Sequence, residues 1–308
     1  GELRHLDAWA AAGQGQVAGL GATDLAAATA PPAAGHGVSV WGRGVGLEGE
    51  YSPGDAPGFE QRVLGFAAGA DIGLGGLLAG DDRLYLGAQA GYGETRAEQD
   101  DGSEIELEGW SFALYASYLA ADATPTPYDG LYLDALLHAS LLDASVSSLA
   151  PASEAGFDAR VWGAALEAGW GFEVAPGLIL EPQARLAFSR VSYDAGSDSV
   201  GAAFALEEGD SLDGRVGLRL QRHWDLHGVG HVAPYLEAHV AHEFAGGNEA
   251  TVAGFAVSSD AGGTRYELGF GLDGRIGRDL ALYGGVEVVW GEHVEQATQV
   301  TAGLRFSF

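Results

Sequence analysis

The last residues of the chain alternate strictly between apolar and polar side chains. Every second residue from Val300 to Phe308 is apolar, and polar residues or glycine fill the positions between them. A period of two predicts a β-strand with one apolar and one polar face. Because the strand ends on Phe306 and Phe308, the pattern favours the closing strand of an outer-membrane barrel, which needs aromatic side chains at the boundary between lipid and water. The alternative is an edge strand of an ordinary antiparallel sheet.

The same period recurs from Gly37 onward and predicts about twelve strands separated by turn signals. In the second strand, for example, Phe66 and its apolar neighbours lie on one side and Asp71 on the other. The first strand is the least regular, because the apolar side that we assign to Trp41 also carries Arg43.

Alternation alone also fits a soluble sandwich or a lipocalin-like barrel, in which the apolar side faces a core. Two observations favour the membrane instead. The apolar side lacks charge over most of nearly every strand, and the other side mixes Gly and Ala with charges of both signs. An arginine facing lipid costs about 2–4 kcal/mol at the midplane and about 0–1 kcal/mol near the interface. The two apolar-side arginines, Arg190 and Arg222, lie towards strand ends, where this cost is small.

The charged residues on the polar side are predicted to line the lumen. They are Glu181, Arg185, Arg215, Arg219, Glu237, Arg265, Glu267, Asp273, Arg275, Glu287 and Arg305. Pairing between arginines and carboxylates explains these charges in structural terms, because an unpaired ion away from water is costly.

The connections between the predicted strands differ in length. Those at 175–177 and 277–279 are tight, whereas those at 145–157, 195–211 and 246–263 are long and rich in Gly, Ser and Asp. Outer-membrane barrels have short periplasmic turns and longer outer loops. An even number of strands also places both ends of the barrel on the periplasmic side.

Residues 1–36 lack this alternation and are predicted to form one or two helices with a glycine-rich break. Pro31 would end the second helix. Most side chains here are small apart from Trp9 and a few leucines, so the segment could thread a narrow channel; the alternative is a linker or terminal extension. No signal peptide is visible at Gly1, and we expect either a mature chain or the C-terminal part of a longer one. We therefore divide the chain into a helical plug, residues 1–36, and a barrel, residues 37–308.

Composition excludes several classes of protein. The chain of 308 residues has no cysteine, which removes disulfides, thiolate metal sites and cysteine nucleophiles. It has a formal net charge of -28, and all 15 basic residues are arginine, so nucleic-acid binding is not expected. Much of the acidity lies in the predicted loops, either as a solvated surface or as sites for divalent cations or an adaptation to salt.

Short phrases in the predicted strands point to a family. In chain order they are Val40–Gly44, Gly65–Asp71, Gly130–Ala135, Leu166–Gly169, Leu180–Ala184, Gly214–Leu218, Pro234–Leu236, His242–Phe244 and Ala302–Phe308. Each phrase is weak alone, but in this order and spacing they resemble the β-domain of classical autotransporters, the type V secretion barrels, and within them the pertactin-like group.

This resemblance implies an antiparallel twelve-stranded barrel in the outer membrane of a Gram-negative bacterium. A helix in the lumen would join it to an N-terminal passenger that the barrel exports and anchors at the cell surface. Phe306 and Phe308 would be the signal read by the barrel-assembly machinery. The expected partners are outer-membrane lipids, that machinery and the chain's own passenger, with the barrel itself a monomer.

Two open points accompany this resemblance. A stand-alone porin is the competing function, because a twelve-stranded lumen without its helix could conduct ions. Many relatives release the passenger beside an asparagine of the helix, but the only asparagine here is Asn248, in a predicted outer loop. We therefore do not expect that cleavage mechanism. The sequence does not identify the passenger.

One histidine pattern suggests metal binding. His223, His227 and His231 recur every four residues around a predicted periplasmic turn, and three imidazoles could hold a metal. Glycines interrupt this turn, so helical spacing would not be kept. We therefore predict no metal site.

Two further groups resemble fragments of catalytic sites. His138 and Ser140 lie two residues apart on one strand and point side by side, which does not make a nucleophile and base pair. His293 lies near Glu292 and Glu295 at the predicted outer rim, which is thin support for a protease. We therefore predict neither an enzyme nor a cofactor.

Overall fold

The computed structural model of the chain describes most residues from Gly37 onward. The described ranges are 37–52, 58–77, 82–99, 103–120, 130–149, 152–194, 196–197, 203–206, 209–245, 247–252, 255–260, 263–277 and 279–308. The predicted helices of residues 1–36 lie outside these ranges. None of the described residues belongs to a helix long and apolar enough to cross a membrane.

The described residues form β-strands joined by turns and loops. The strands are β1 (Gly37–Tyr51), β2 (Phe59–Gly75), β3 (Arg83–Gln99), β4 (Glu104–Leu119), β5 (Gly130–Leu149), β6 (Ala152–Ala175), β7 (Leu178–Tyr193), β8 (Gly196–Ser197), β9 (Ala203–Leu206), β10 (Gly209–Arg222), β11 (Trp224–Leu226), β12 (Gly230–Glu243), β13 (Gly247–Val252), β14 (Phe255–Asp260), β15 (Gly263–Ile276), β16 (Leu280–Gly291) and β17 (Val294–Ser307).

Twelve long strands close into one antiparallel barrel. Strands β1 to β7 pair in sequence, followed by β10, β12, β15, β16 and β17. The ring closes because β10 pairs with β12 and β17 pairs with β1, from Ser39 opposite Ser307 to Tyr51 opposite Val294. The short β11 extends the hairpin against β12. The prediction of a closed twelve-stranded antiparallel barrel is confirmed.

Alternation along each strand separates an apolar outer side from a polar inner side. On β2, Leu64 and Phe66 point outward and are 67% and 58% exposed, whereas Asp71 points inward and is 3% exposed. The same contrast recurs around the ring, with Leu137 and Phe270 both 62% exposed on the outside. The barrel is therefore inverted relative to a soluble domain, with its apolar surface facing the surroundings.

Strand β1 departs from the prediction. Trp41 and Arg43 both point inward and are buried, whereas Val38 and Val40 are exposed on the outside. Between Val40 and Glu48 the outward-facing positions of β1 are all glycines, which give no hydrophobic signal. The apolar residues that the sequence pattern shows in this strand therefore face the lumen. The assignment of Trp41 to the apolar outer face was wrong.

The loops opposite the chain terminus also differ from the expected coil. Strands β5 and β6 stay paired from Ser145 opposite Gly156 to Leu149 opposite Ala152, so the long join expected at 145–157 is an extended hairpin. The other two long joins contain β8, β9, β13 and β14, which form a second sheet in the order β14-β13-β9-β8. In both places the backbone hydrogen bonds between strands continue into the predicted loops, because polar side chains do not prevent two strands from pairing.

The interior has two zones. Towards the end of the barrel opposite Phe308, nine of the twelve strands contribute inward apolar side chains that form one buried cluster, which we call the apolar collar. Its residues are Tyr51, Phe59, Ala97, Ile105, Leu107, Leu142, Ala144, Phe157, Ala159, Val161, Val191, Val289, Val294 and Ala297. The remaining lumen wall is mostly polar and charged.

Candidate functional site in the barrel lumen

All eleven residues predicted to line the lumen lie on inward-facing strand positions. Eight of them are buried, namely Arg185, Arg215, Arg219, Arg265, Glu267, Asp273, Glu287 and Arg305. Glu181, Glu237 and Arg275 are partly buried. The strands that carry them, β7, β10, β12, β15, β16 and β17, are consecutive neighbours in the barrel, so the eleven residues lie on one continuous part of the lumen wall.

Ion pairs across this wall connect strands that are not adjacent. Arg215 on β10 donates to Glu167 on β6 over 2.9 Å, across the intervening β7. Arg265 on β15 donates to Asp213 on β10 over 2.6 Å, across β12. Buried pairs cost desolvation, so their benefit lies in holding specific partners together. They tie next-nearest strands and fix the wall's shape.

A second pair combines charge with an aromatic ring. Arg219 donates to Asp273 over 2.6 Å, and its guanidinium lies 3.6 Å from the ring centre of Tyr235. A cation over an aromatic face is stabilised by the ring quadrupole. The arginine is therefore held in one orientation rather than left to project into the lumen.

The seam between the first and last strands carries its own network. Arg305 on β17 donates to Asp71 on β2, reaching across β1. The second oxygen of Asp71 accepts a hydrogen bond from Tyr115 over 2.7 Å, and Tyr115 in turn accepts one from Trp41 over 2.7 Å. Arg305 also lies 5.3 Å from the ring centre of Tyr85. We call this group the seam network; it joins β17 to four other strands.

Several members of these networks were absent from the predicted lumen set. Asp71, Glu167 and Asp213 lie on the same polar parity as the predicted residues, and parity alone could have identified them. Tyr115 also lies on the polar parity of its strand, whereas Trp41 could not be found that way, because the outer side of β1 is glycine-rich. What marks them in the structure is a hydrogen bond inside the lumen.

Tyrosine and tryptophan rings in the lumen lie over glycines on neighbouring strands. A β-carbon added at Gly169 would lie 2.7 Å from the hydroxyl oxygen of Tyr132, and one added at Gly69 would lie 2.5 Å from the Trp41 ring. Such distances exclude a side chain without movement of the ring. These inward-facing glycines therefore leave the space that the aromatic rings occupy. In the sequence such glycines appear only as interruptions of the alternation.

One buried group has the composition of a metal site. His239, Glu267 and Glu287 have ligand atoms within 4.8 Å of one another, the only such group of three in the described part of the chain. Glu267 already faces Arg215 at 3.8 Å and Arg265 at 3.4 Å, and His239 lies 2.9 Å from Gln183. Because two guanidinium groups supply the positive charge, we read this group as part of the ion-pair wall.

The candidate histidine and serine groups do not assemble into a site. The rings of His223 and His231 are 6.4 Å apart, while His227 is exposed in the turn between them. Burial lowers the pKa of His223 to about 4, and the nearby His231 adds to this effect. His138 lies against the strand position of Gly163 rather than against Ser140.

The residues at the outer rim are engaged in structural contacts. Ser52 donates to Glu295, and the backbone amide of Thr264 donates to Glu292 over 2.8 Å. These contacts hold adjacent hairpins together. They do not arrange the residues as a nucleophile and base.

The exterior defines the class of the protein. Aromatic pairs lie on the outer surface, including Tyr92 with Trp110 at 5.4 Å between ring centres and Phe306 with Phe308 at 5.0 Å. The backbone amide of Phe308 donates to the carbonyl of Val38, which fixes the end of the chain to β1. A closed barrel with an apolar, aromatic-rimmed exterior and a polar interior is a transmembrane β-barrel.

Comparison with known proteins identifies the family within that class. The model of the autotransporter β-domain matches residues 40–287, and the chain belongs to this family. It is 34% identical over 274 residues to the pertactin autotransporter of Bordetella bronchiseptica, covering 87% of this chain and 29% of that protein. It is 28% identical over 275 residues to the BrkA autotransporter of Bordetella pertussis, covering 87% of this chain and 26% of that one. The chain thus spans less than a third of the length of these relatives.

Solved structures agree with this assignment. The crystal structure of the β domain of the Bordetella autotransporter BrkA superposes with a TM-score of 0.70 at 27% identity. The match covers 88% of this chain and 100% of that chain. The translocator domain of NalP from Neisseria meningitidis superposes with a TM-score of 0.70 at 16% identity, covering 90% of each chain, and supports the fold alone. The chain is therefore an outer-membrane translocator barrel of type V secretion in a Gram-negative bacterium.

Proposed function

We propose that this barrel exports an N-terminal passenger through its lumen and anchors it at the cell surface. The observation that carries the proposal is the charge-paired lumen wall in a barrel of the autotransporter β-domain family. Wall arginines and carboxylates that bind each other bind a passing chain weakly, so an extended polypeptide can slide along a polar surface. The lumen-lining role of the eleven predicted residues belongs to this proposal.

The division of labour along the chain is part of the same proposal. Residues 1–36 act as a helical plug that links the passenger to the barrel, and residues 37–308 form the barrel. The mostly small side chains of the first segment fit a narrow lumen. The barrel works as a monomer among outer-membrane lipids and is not an enzyme.

We also propose that Phe306 and Phe308 are the signal read by the barrel-assembly machinery. Phe308 is 73% exposed and Phe306 is 39% exposed at the end of the last strand, so both rings are accessible at the periplasmic end. Replacing both with serine should lower the amount of folded barrel in the outer membrane of cells. The same variant should still fold from urea into detergent, because no assembly machinery takes part there.

Surface display tests export directly. A short epitope fused before Gly1 should become sensitive to protease added to intact cells. An epitope that stays protected while the barrel is folded in the outer membrane would contradict export.

Channel recordings separate a plugged barrel from a porin. In planar bilayers the full chain should show low or flickering conductance, and a chain beginning at Gly37 should conduct steadily. Equal, steady conductance from both proteins would favour the porin.

A further inference from the structure

One arginine on the lipid-facing side of the barrel differs from the others in its surroundings. Of the described residues, five arginines point outward from the strands, and four of them form ion pairs towards the outer end of the barrel. These pairs are Arg62–Glu48, Arg96–Glu106, Arg160–Asp194 and Arg190–Asp210. The fifth, Arg222, is exposed at the periplasmic end of β10 and forms no ion pair with any described residue. Its guanidinium group can therefore bind an anion from outside the chain.

The neighbours of Arg222 place it at the level of lipid headgroups. Arg222 lies opposite Leu178 of β7, and Trp224, two residues further along the chain, is exposed on the same outward side. Tryptophan is enriched where headgroups meet the hydrocarbon core. The carboxylate of Glu173, in the adjoining turn, accepts a hydrogen bond from the backbone amide of Gly177 over 2.8 Å. The anion that Arg222 meets at this level is therefore the phosphate of a lipid.

An apolar groove crosses the same outer face nearer the middle of the membrane, and we call it the exterior groove. Its volume is about 940 Å³, within the range of about 300–1,000 Å³ that ligand clefts have. Small residues form its floor, with Ala168 of β6 directly opposite Ala184 of β7 and with Gly214 on β10. Leu166 and Val216 beside them are 62% and 60% exposed. Among the described residues that line the groove, none of the outward-facing ones is acidic or an arginine, so the groove fits a hydrocarbon chain.

One lipid can reach both places. Val216 lines the exterior groove six residues from Arg222 on β10, and the two outward residues between them, Leu218 and Leu220, are exposed. With about 3.3 Å per residue and a tilt of about 40°, six residues rise about 15 Å. The apolar band of an outer-membrane barrel is about 25 Å tall, and one leaflet covers about half of it. A lipid with its phosphate at Arg222 therefore reaches the groove with the ends of its acyl chains.

A second copy of the barrel fits this face less well. A two-fold interface brings the same patch of both copies together, so the exterior groove of one would face the groove of the other and leave the space unfilled. The same symmetry would place two Arg222 guanidinium groups at one level, where they repel each other. A flexible acyl chain fills the groove without either cost.

We propose that Arg222 and the exterior groove bind one phospholipid of the periplasmic leaflet. The guanidinium group holds the phosphate, which it matches with two parallel N–H donors, and the acyl chains run over β7 and β10 into the groove. Trp224 packs at the headgroup beside the arginine. This site goes beyond export, and it rests only on the contact between barrel and lipid.

Native mass spectrometry of the full chain in detergent tests the headgroup contact, with the apparent Kd of the first bound phosphatidylglycerol as the readout. Arg222→Gln should weaken binding about tenfold, because it removes charge-assisted hydrogen bonds to the phosphate. Arg222→Lys should weaken it less, since the positive charge remains. Arg62→Gln changes an outward arginine at the other end of the barrel and is the matched control. Diacylglycerol with the same chains but no phosphate should bind about tenfold more weakly.

A second pair of variants tests the exterior groove. Ala184→Phe fills the groove with a ring and should weaken phosphatidylglycerol binding about fivefold, because the acyl chains lose packing contacts. Ala68→Phe makes the same change at an outward position of β2 outside the groove and should leave the Kd unchanged. Both side chains face lipid, so neither variant alters the packing inside the barrel.

The outcomes address the two halves of the site separately. An Arg222→Gln variant that binds as well as Arg62→Gln, or diacylglycerol that binds as well as phosphatidylglycerol, would overturn the phosphate contact. Equal effects of Ala184→Phe and Ala68→Phe would overturn the groove. Glycerol phosphate that competes as well as the whole lipid would reduce the site to an anion contact and overturn the proposal. Because the measurement involves no passenger, its result does not depend on the export proposal.

Discussion

The seam network makes the closure of the barrel measurable. Arg305 comes from the last strand and Asp71 from the second, so their ion pair forms only when β17 has paired with β1. Both side chains are almost fully buried, at 4% and 0% exposure. Replacing one partner leaves the other as a buried charge, which costs about 3–5 kcal/mol. We therefore expect Arg305→Met to lower the free energy of unfolding by this amount.

The two single variants should differ. In Asp71→Asn, the guanidinium of Arg305 keeps its place 5.3 Å from the ring centre of Tyr85, an interaction worth about 0.5–2 kcal/mol. In Arg305→Met, the carboxylate of Asp71 keeps only the hydrogen bond from Tyr115. We expect Arg305→Met to be the more damaging change. The double variant should cost less than the sum of the two, since neither charge is then left alone.

Urea titration of the full chain folded in lipid vesicles measures these free energies. The control is the pair of Arg62 and Glu48, which joins the adjacent strands β2 and β1 at 2.9 Å and is about 70% exposed on the outer surface. Arg62→Met should change stability by less than about 1 kcal/mol. Strictly additive single variants, or an Arg305→Met variant no weaker than Arg62→Met, would refute the reasoning.

Two further predictions follow from the lumen and the periplasmic turn. Gly169→Ala should destabilise the barrel by about 1–3 kcal/mol in the same titration, because the new methyl group meets the ring of Tyr132. Gly44→Ala, whose β-carbon would meet no atom closer than 3.9 Å, is the control, and equal effects would contradict the ring contact. The pKa of His223, lowered from 6.5 to about 4 in the fold, means that the unfolded chain binds the proton more readily, so stability should rise with pH between about 4 and 6.5. His223→Gln should flatten that rise, and an unchanged pH profile would contradict it.

Most of the barrel could be predicted from the sequence because the alternation of each strand depends only on the residues of that strand. Each strand must turn one face to lipid and one to the lumen, so Phe66 and Asp71 on β2 reveal the side that each faces. The predicted orientation of strand β1 was wrong because its outer side is glycine-rich, and the apolar signal came from Trp41 in the lumen. Period alone cannot separate an apolar residue in a membrane from one in a filled interior.

Other features depend on contacts far apart in the chain. Arg305 was predicted to face the lumen, but its partner Asp71 is fixed by closure of the ring and by the register of β1 with both neighbours. The apolar collar was not predicted, because each strand contributes only one to three of its residues. The second sheet, formed by β8, β9, β13 and β14, was not predicted because short strands in glycine-rich loops have no sustained alternation.

The lumen wall carries its positive charge only on arginine. A guanidinium group keeps its proton at every pH that a cell meets. The positive member of each ion pair between Arg215, Arg219, Arg265 or Arg305 and its carboxylate is therefore permanent. A wall built with lysine would lose positive charge in strongly alkaline surroundings.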